Sequence, residues 1–300
     1  MSKIILYYKY ITISDLEAMV TWQRELCQNL NLKGRILIAK EGINGTLGGS
    51  IESIDQYKLC MLNHELFNDI DFKESYGSNE HFPKLKVIAK KEIVKLGLDP
   101  EIIKAENGGT HLTPYQVHEL IKENLYNDNL VLLDTRNDYE SKIGTFVNSV
   151  QCNTKTFREF PEFIDQNLGK FKNKKVVMFC TGGVRCERAS AYLKFKNITQ
   201  EVYQIKGGIH RYVEAYPNGF FKGKNYVFDG RIAMQITNDV LAQCEHCHIV
   251  YDDYTNCFNA ECNRQIIVCP SCIEIYHNTC SEQCKELVLN LKVNVRKKPR

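Results

Sequence analysis

The segment from residue 174 to 188, KKVVMFCTGGVRCER, constrains the fold of this chain more than any other. An apolar run of strand length leads into Cys180, and two glycines separate that cysteine from Arg185 at the start of a helical pattern. The glycines allow backbone N–H groups to turn toward the cysteine and to form an anion-binding nest. A thiol held above such a nest and a helix N-terminus is stabilised as a thiolate. The segment therefore predicts a nucleophilic cysteine, with an inert buried thiol as the alternative.

The sequence around this segment alternates between strand and helix patterns from residue 113 to 216. Such alternation predicts a mostly parallel α/β sheet, whose ligands bind beyond the carboxyl ends of the strands. The first hundred residues carry these patterns in the order βαββαβ, which is typical of a ferredoxin-like α+β domain. We predict a ferredoxin-like domain (1–95), a linker (96–112), the α/β domain (113–222), a connector (223–243), a cysteine-rich region (244–284) and a basic tail (285–300).

Eight of the thirteen cysteines lie in four close pairs. In a reducing compartment such pairs indicate metal binding, and disulfides or free thiols are the alternative. Two tetrahedral zinc sites would use all eight thiolates, and sequential and crossed pairing both satisfy the spacing. We therefore predict a structural zinc finger with two ions and these ligands: Cys244, Cys247, Cys257, Cys262, Cys269, Cys272, Cys280 and Cys284.

Targeting signals and charge indicate where the protein acts and which partners it could bind. The sequence contains no signal-peptide pattern and no apolar run of about 20 residues, so we expect a cytoplasmic protein without a membrane partner. The net charge of +3 is too small to indicate nucleic-acid binding by itself. The lysines of 83–95 either contact phosphates or form a solvated strand edge, and we expect the basic tail VRKKPR to contact phosphates. The glycine-rich stretch 40–50 either contacts an RNA backbone or forms a tight hairpin.

Three segments together resemble a rhodanese domain. They are the loop from Cys180 to Arg185, VLLDTRNDYE (131–140) and YQIKGGIHRY (203–212). The resemblance implies that the loop cysteine carries a persulfide and that Asp134 and Arg136 support the active-site framework. A structural salt bridge is the alternative role for Asp134, and we expect Arg136 to be the more exposed of the two. The resemblance also implies that the residues between Cys180 and Arg185 form the active-site loop. These residues are Thr181, Gly182, Gly183 and Val184.

A longer series of motifs points to one particular family of proteins with such a domain. The motifs include GRILIAKEGINGTLGGS, TKTFREFPEFID, CTGGVRCERASAYL and FKGKNYVFDGRIA, and they are spread over residues 34 to 233. Together they resemble the tRNA uridine(34) hydroxylase family, also called TrhO or YceA. The resemblance implies an oxidoreductase that converts the wobble uridine of tRNA to 5-hydroxyuridine with molecular oxygen as co-substrate, and it implies that Cys180 is required.

The chemistry available to a thiolate agrees with this reaction. Addition of a thiolate to C6 of uridine would make C5 an enolate carbon able to take an oxygen atom, and Arg185 with the loop N–H groups would stabilise the developing charge. A persulfide on Cys180 is a competing reactive species. Cys186 is either a resolving thiol or part of the helix packing, and we assign Cys27, Cys60 and Cys152 to core packing. No flavin, haem or nicotinamide motif is visible in the sequence.

Two other functions compete with hydroxylation. The first is a sulfurtransferase that carries a cysteine persulfide and works with a sulfur donor protein or thiosulfate. The second is a zinc-bearing RNA-binding module in which the α/β domain is only a scaffold. The intact nucleophile loop argues against the scaffold, and the flanking domains favour tRNA over a small thiol acceptor.

Overall fold

Residues 2–89 form a five-stranded sheet with two helices on one face. The strand order is β4-β1-β3-β2-β5, with β5 parallel to β2 and every other pair antiparallel. The first four strands have the predicted ferredoxin-like arrangement, which is confirmed, and the basic segment that follows adds an edge strand. The elements are β1 Ser2–Tyr10, α1 Leu16–Asn29, β2 Lys33–Ala39, β3 Gly42–Ser50, α2 Ile51–Leu62, β4 Lys73–Tyr76 and β5 Leu85–Ala89.

The two faces of this sheet have different partners because side chains alternate along a strand. On β1, Ile5 and Tyr7 are fully buried in a core formed with the two helices. Tyr7 also shares a hydrogen bond of 2.5 Å with the Tyr57 hydroxyl of α2. The alternate residues Leu6 and Tyr8 point to the opposite face, which lies against the middle of the chain. One face of the sheet thus builds the core, and the other is available to a site.

The middle of the chain forms a second five-stranded sheet in the order β6-β11-β10-β7-β9, and every strand pair is parallel. The predicted parallel α/β sheet is therefore confirmed. The helices and strands of this part of the chain, in which β8 lies outside the parallel sheet, are β6 Thr110–Leu112, α3 Pro114–Glu123, β7 Leu130–Asp134, α4 Asp138–Ser141, β8 Gly144–Phe146, β9 Val150–Gln151, α5 Phe160–Gln166, α6 Leu168–Phe171, β10 Lys175–Phe179, α7 Val184–Phe195, β11 Glu201–Ile205 and α8 Gly208–Ala215.

Three short elements of this region were absent from the sequence patterns. Strand β6 occupies the end of the predicted linker and pairs with β11 at the edge of the sheet. Its residues Thr110 and His111 are exposed, so the strand has no alternating apolar pattern, and backbone pairing with β11 and the packing of Leu112 on the core hold it in place. Helix α4 and strand β8 are only four and three residues long, which is too short for a periodic signal.

The first strands of the last part of the chain form a sheet with a strand of the middle domain. Strand β12 (Phe221–Tyr226) pairs antiparallel with β8 and with β13 (Ala233–Gln235), so the predicted connector contains sheet structure. The cysteine-rich region contains a hairpin and two helices: β14 Tyr254–Asn256, β15 Gln265–Ile267, α9 Pro270–Tyr276 and α10 Glu282–Leu289. The computed structural model describes residues 1–296, and the last four residues of the basic tail lie outside that range.

The segment between the two large domains is packed against the second one. The buried guanidinium of Arg188, on α7, donates to Glu92 at 2.5 Å and to the carbonyls of Leu98 and Ile103 at 2.8 and 3.0 Å. These bonds join the end of the first domain, the intervening segment and the helix that follows Cys180. Within residues 1–296, no helix combines the length and the apolar character needed to cross a membrane.

Candidate active site

Cys180 lies in the turn between β10 and α7, at the carboxyl end of a central strand. Gly183 has a φ of +104°, a conformation that side chains disfavour, and its N–H donates to the Cys180 sulfur at 3.1 Å. The backbone N–H groups of Ile209 and His210, in α8, donate to the carbonyls of Cys180 and Thr181 at 2.9 and 3.1 Å. The loop is therefore fixed from two sides, and the sulfur lies where the sequence predicts.

The Cys180 sulfur is in an environment that favours the thiolate. Burial by itself would raise the pKa of the thiol, because it penalises the charged form. A hydrogen bond from the Cys186 side chain, the charge of Arg185 and the N–H groups of Arg185 and Gly183 outweigh burial and lower the pKa to about 5. The sulfur is thus ionised at neutral pH, as a nucleophile requires. Its catalytic role remains a prediction.

Arg185 is held by a carboxylate to which the sequence analysis gave no role. Its two terminal nitrogens donate to the two carboxylate oxygens of Glu140, in α4, at 2.5 and 2.6 Å. Both side chains are buried, and such bidentate pairs have a fixed geometry. Burial would lower the pKa of Arg185, but Glu140 raises it above its ordinary value. A bidentate pair across 45 residues leaves no signal in a single sequence.

Asp134 and Arg136 form a second buried pair below the loop. Arg136 Nη2 donates to Asp134 Oδ2 at 2.6 Å and to the carbonyl of Gly144 at 2.6 Å, and Thr145 donates to the same carboxylate at 2.9 Å. Both charged residues are 0% exposed. The expectation that Arg136 is the more exposed one is therefore wrong, because its guanidinium closes the junction between β7 and β8. The geometry agrees with a supporting role for both residues.

The remaining residues of the loop contact the first domain or Glu140. The Thr181 hydroxyl lies 3.4 Å from Glu140 Oε2. A Cβ atom at Gly182 would come within 2.7 Å of the Leu6 side chain, so β1 packs directly on the loop. The Val184 carbonyl accepts from the Tyr10 hydroxyl at 3.3 Å. The free face of the first sheet is thus the second wall of the cysteine loop.

A cavity of about 500 Å³ opens between that sheet and the loop. Its floor contains Cys180, Thr181, Gly182 and Arg185, and its opposite wall contains residues of β1, β2 and β3. Phe228, from the segment after β12, lies at the cavity with 53% of its surface exposed and with its ring centre 5.8 Å from the Arg185 guanidinium carbon. This volume and this mixture of apolar and polar groups are typical of small-molecule or nucleotide sites.

Basic side chains surround the opening of this cavity. Arg35 and three of the five lysines singled out from the sequence, Lys90, Lys91 and Lys95, line it and are exposed. The other two, Lys84 and Lys86, are exposed on or beside β5 and lie outside the cavity lining. The glycine-rich stretch forms a tight hairpin between β2 and β3. Its turn is separate from the cavity, but the β3 residues that follow line it.

The other cysteines of the two large domains are buried or half-buried. Cys27 is buried in the core of the first domain, and Cys60 is half-buried on α2. Cys152 is buried in the core that also contains Cys180 and Cys186, and its thiol donates to the Asp134 carbonyl at 3.1 Å. Cys186 is 0% exposed.

The eight paired cysteines form two clusters with crossed pairing. One cluster consists of Cys244, Cys247, Cys269 and Cys272, and the other consists of Cys257, Cys262, Cys280 and Cys284. Within each cluster the four sulfur atoms lie within 4.8 Å of one another. The structure thereby resolves the choice that the spacing left open.

The donor set of each cluster fits a zinc ion. Four thiolates around tetrahedral zinc, with Zn–S bonds of about 2.3 Å, lie about 3.8 Å apart. The separations are 3.6 Å from Cys247 to Cys269, from Cys262 to Cys280 and from Cys280 to Cys284. Neither cluster of the described residues includes a histidine. His246 instead stacks on Tyr276 and contacts the Thr279 carbonyl.

We expect the thiolate absorbance of Cys180 to increase as the pH rises through about 5. The measurement is the ultraviolet difference between the protein and its Cys180→Ser variant during a pH titration, in which the zinc-cluster thiolates cancel. Cys152→Ser is the matched control, because burial raises the pKa of that thiol and its difference spectrum should stay flat over about pH 4 to 8. A Cys180 midpoint near the ordinary thiol value of about 8.5 would contradict the assignment.

Comparison with known proteins agrees with this architecture. Family models match residues 2–93 (UPF0176 acylphosphatase-like domain), 114–215 (rhodanese-like domain) and 222–285 (rhodanase C-terminal). Proteins named tRNA uridine(34) hydroxylase are similar over nearly the whole chain. The one from Corynebacterium jeikeium is 42% identical over 90% of this chain and 89% of its own. The one from Corynebacterium urealyticum is 41% identical over 94% and 96%, and that from Staphylococcus carnosus is 38% identical over 95% and 90%. The chain therefore belongs to the tRNA uridine(34) hydroxylase family.

Proposed function

We propose that this protein hydroxylates C5 of the wobble uridine of tRNA, with molecular oxygen as co-substrate and Cys180 as the nucleophile. The observation that carries the proposal is the position of the Cys180 sulfur, which accepts the Gly183 N–H at 3.1 Å at the floor of a cavity of about 500 Å³. Membership of the family gives the reaction, and the position of the sulfur gives a way to perform it. Because tRNA is a cytoplasmic molecule, we propose that the reaction takes place there.

The thiolate would activate the base by addition to C6. This addition pushes electron density to C5, which becomes an enolate carbon that can form a bond to oxygen. Departure of the sulfur from C6 and loss of the C5 proton then restore the ring. Release of the second oxygen atom of O2 as water, which consumes two electrons and two protons, leaves 5-hydroxyuridine. The backbone N–H groups of the loop would hold the charge on sulfur before addition and after departure.

The structure refines the part that we assign to Arg185. Glu140 accepts from both ends of its guanidinium, so fewer donors are left for a uracil oxygen. We propose that Arg185 acts mainly on Cys180, by stabilising the thiolate and by fixing the start of α7. Arg185 and Glu140 would therefore be positioning residues, and Thr181, Gly182, Gly183 and Val184 would shape the loop.

The cavity offers a place for a uracil base outside the anticodon stack. Enzymes that act on a base take it out of the stack and bind it between aromatic or apolar groups. Tyr8 on one wall and Phe228 beside Arg185 are aromatic groups at this cavity. Phe228 has a large exposed surface before any substrate binds, so a base that stacked on it would bury apolar area.

The basic rim would hold the tRNA backbone. Arg35, Lys90, Lys91 and Lys95 surround the cavity, and cations in this position neutralise phosphates next to a base that enters it. The tail VRKKPR, which the sequence analysis also assigned to phosphates, has only Val295 and Arg296 among the described residues.

We further propose that each cysteine cluster holds one structural zinc ion. Four thiolates leave no open coordination position for a reacting water, so these ions would stabilise the fold rather than take part in the reaction. Helix α4 of the middle domain is joined to this region by Tyr254, whose hydroxyl donates to the Tyr139 carbonyl next to Glu140 at 2.9 Å. A folded zinc region would thus support the segment that holds Arg185.

The first test is the fate of oxygen. With tRNA and heavy-isotope O2, the label should appear at C5 of the wobble uridine, and no sulfur should enter the base. Cys180→Ser should lower the rate by roughly 1,000-fold or more, because the nucleophile is lost, whereas the buried Cys27→Ser should retain activity. Nucleoside mass spectrometry provides both readings. Thiolated nucleosides, or turnover of thiosulfate at a useful rate without tRNA, would favour the persulfide-carrying sulfurtransferase instead.

The second test concerns the basic rim. Lys90→Gln/Lys91→Gln should weaken tRNA binding and reduce the slope of log affinity against log salt by roughly 1 to 2, because two phosphate contacts are lost. Lys170→Gln/Lys172→Gln removes the same charge from exposed positions outside the cavity lining and is the matched control. Binding titrations at several salt concentrations make the comparison. Equal slopes for the two double variants would contradict a phosphate-binding rim.

The third test is the metal content. Elemental analysis of the purified chain should find two zinc ions, one for each cluster. Cys257→Ser should lower the content and destabilise the region, because metal binding and folding are coupled in small metal-bound domains. Cys60→Ser, on α2 of the first domain, is the control and should keep both ions. A disulfide map that joins the eight cysteines would refute the zinc assignment.

A further inference from the structure

Hydroxylation by O2 imposes an electron balance that the Cys180 sulfur alone does not meet. One oxygen atom of O2 enters the C5–O bond and the other leaves as water, which requires two electrons and two protons. Two thiols that join in a disulfide supply both. The structure places a second thiol, Cys186, in the buried core next to Cys180, and a role for it in this balance rests on the proposed function.

The two cysteines are linked through one glycine. The Gly183 N–H donates to the Cys180 sulfur at 3.1 Å, and the Gly183 carbonyl accepts from the backbone N–H of Cys186 at 2.9 Å. The side chains of Cys186 and Cys180 are buried in the same core cluster. The Cys186 sulfur also lies 3.6 Å from the Thr135 hydroxyl. Gly183 and this shared core therefore hold Cys186 next to Cys180, on the side away from the cavity.

Access to the two sulfurs is unequal. Both residues are almost fully buried, at 1% and 0% exposed, but Cys180 is among the residues that line the cavity and Cys186 is not. Burial and the negative charge of Cys180 raise the pKa of Cys186 well above its ordinary value, so this thiol stays protonated while Cys180 is ionised. An oxidised substrate in the cavity thus contacts Cys180 first, and Cys186 can reach the Cys180 sulfur only from the protein interior.

We propose that Cys186 is the resolving cysteine of the hydroxylation cycle, and that the Cys180–Cys186 pair supplies the two electrons that reduce the second oxygen atom of O2. C5 of uridine exchanges its bond to hydrogen for a hydroperoxide that contains both oxygen atoms. The Cys180 sulfur takes the outer oxygen, so the O–O bond breaks and 5-hydroxyuridine and a sulfenic acid form. Cys186 then attacks the sulfenic sulfur, a disulfide forms, and the oxygen leaves as water.

Atoms and electrons balance over these steps. Uridine, O2 and two thiols give 5-hydroxyuridine, one disulfide and one water, and the thiols are the only groups oxidised besides C5. A small-molecule thiol that enters the cavity would return the disulfide to two thiols by exchange at Cys180, and that small thiol would be oxidised in turn. Cys186 is thus needed to restore Cys180 rather than to form the first product.

The experiment follows the disulfide and the product together. Reduced enzyme in excess over tRNA is exposed to O2 without added thiol, quenched by alkylation and digested with trypsin. Cleavage after Arg185 separates the two cysteines, so a disulfide appears as residues 176–185 joined to residues 186–188. We expect one such disulfide for each 5-hydroxyuridine formed. We expect none when tRNA is omitted, and Cys152→Ser, which removes another thiol of the same core, should match the wild type.

Cys186→Ser provides an independent reading. With excess enzyme it should still make product once, but Cys180 should remain as a sulfenic acid that a 1,3-dione probe traps. With limiting enzyme and added thiol, its turnover should fall by about tenfold or more as Cys180 becomes overoxidised. The inference is overturned if the wild type makes 5-hydroxyuridine without the disulfide, or if Cys186→Ser turns over at the wild-type rate without the trapped adduct. Absence of 5-hydroxyuridine even with added thiol would instead refute the proposed function on which the inference rests.

Discussion

The bidentate contact between Arg185 and Glu140 organises the centre of this molecule. It connects the start of α7, and hence the cysteine loop, to the short helix α4 that follows β7. Two buried charges are costly unless each satisfies the other, and removal of one would leave the other unpaired in the protein interior. The pair therefore fixes one arrangement of the loop. The position of the Cys180 sulfur, the shape of the cavity and the contact with β1 all depend on that arrangement.

Much of the architecture was predictable because it is encoded in short-range patterns. The apolar run 175–179 and the glycines after Cys180 predict a strand, a nest and a helix start, and the structure contains all three. The βαββαβ order of the first domain likewise follows from periods of two and of about 3.6 residues. The motif-based family resemblance is also confirmed, since relatives with about 40% identity cover nearly the whole chain.

The parts that the sequence did not reveal depend on distant partners. Glu140 is one acid among many until folding brings it to Arg185, and the burial of Arg136 depends on the carbonyl of Gly144 and on Asp134. The crossed pairing of the cysteines has the same origin, because four equivalent pairs can be combined in more than one way. The second wall of the cavity comes from another domain, so no local pattern around Cys180 could predict it.

The crossed pairing also has a consequence for how the protein is made. The first and third cysteine pairs share one cluster, and the second and fourth share the other, so the ligands of each cluster flank a pair that belongs to its neighbour. A ribosome that has synthesised the chain only as far as residue 268 has produced four of the eight ligands and no complete set. Completion of either four-cysteine set is therefore among the last events of synthesis, after both halves of the cavity have been translated, and a chain that ends before residue 272 would contain neither set.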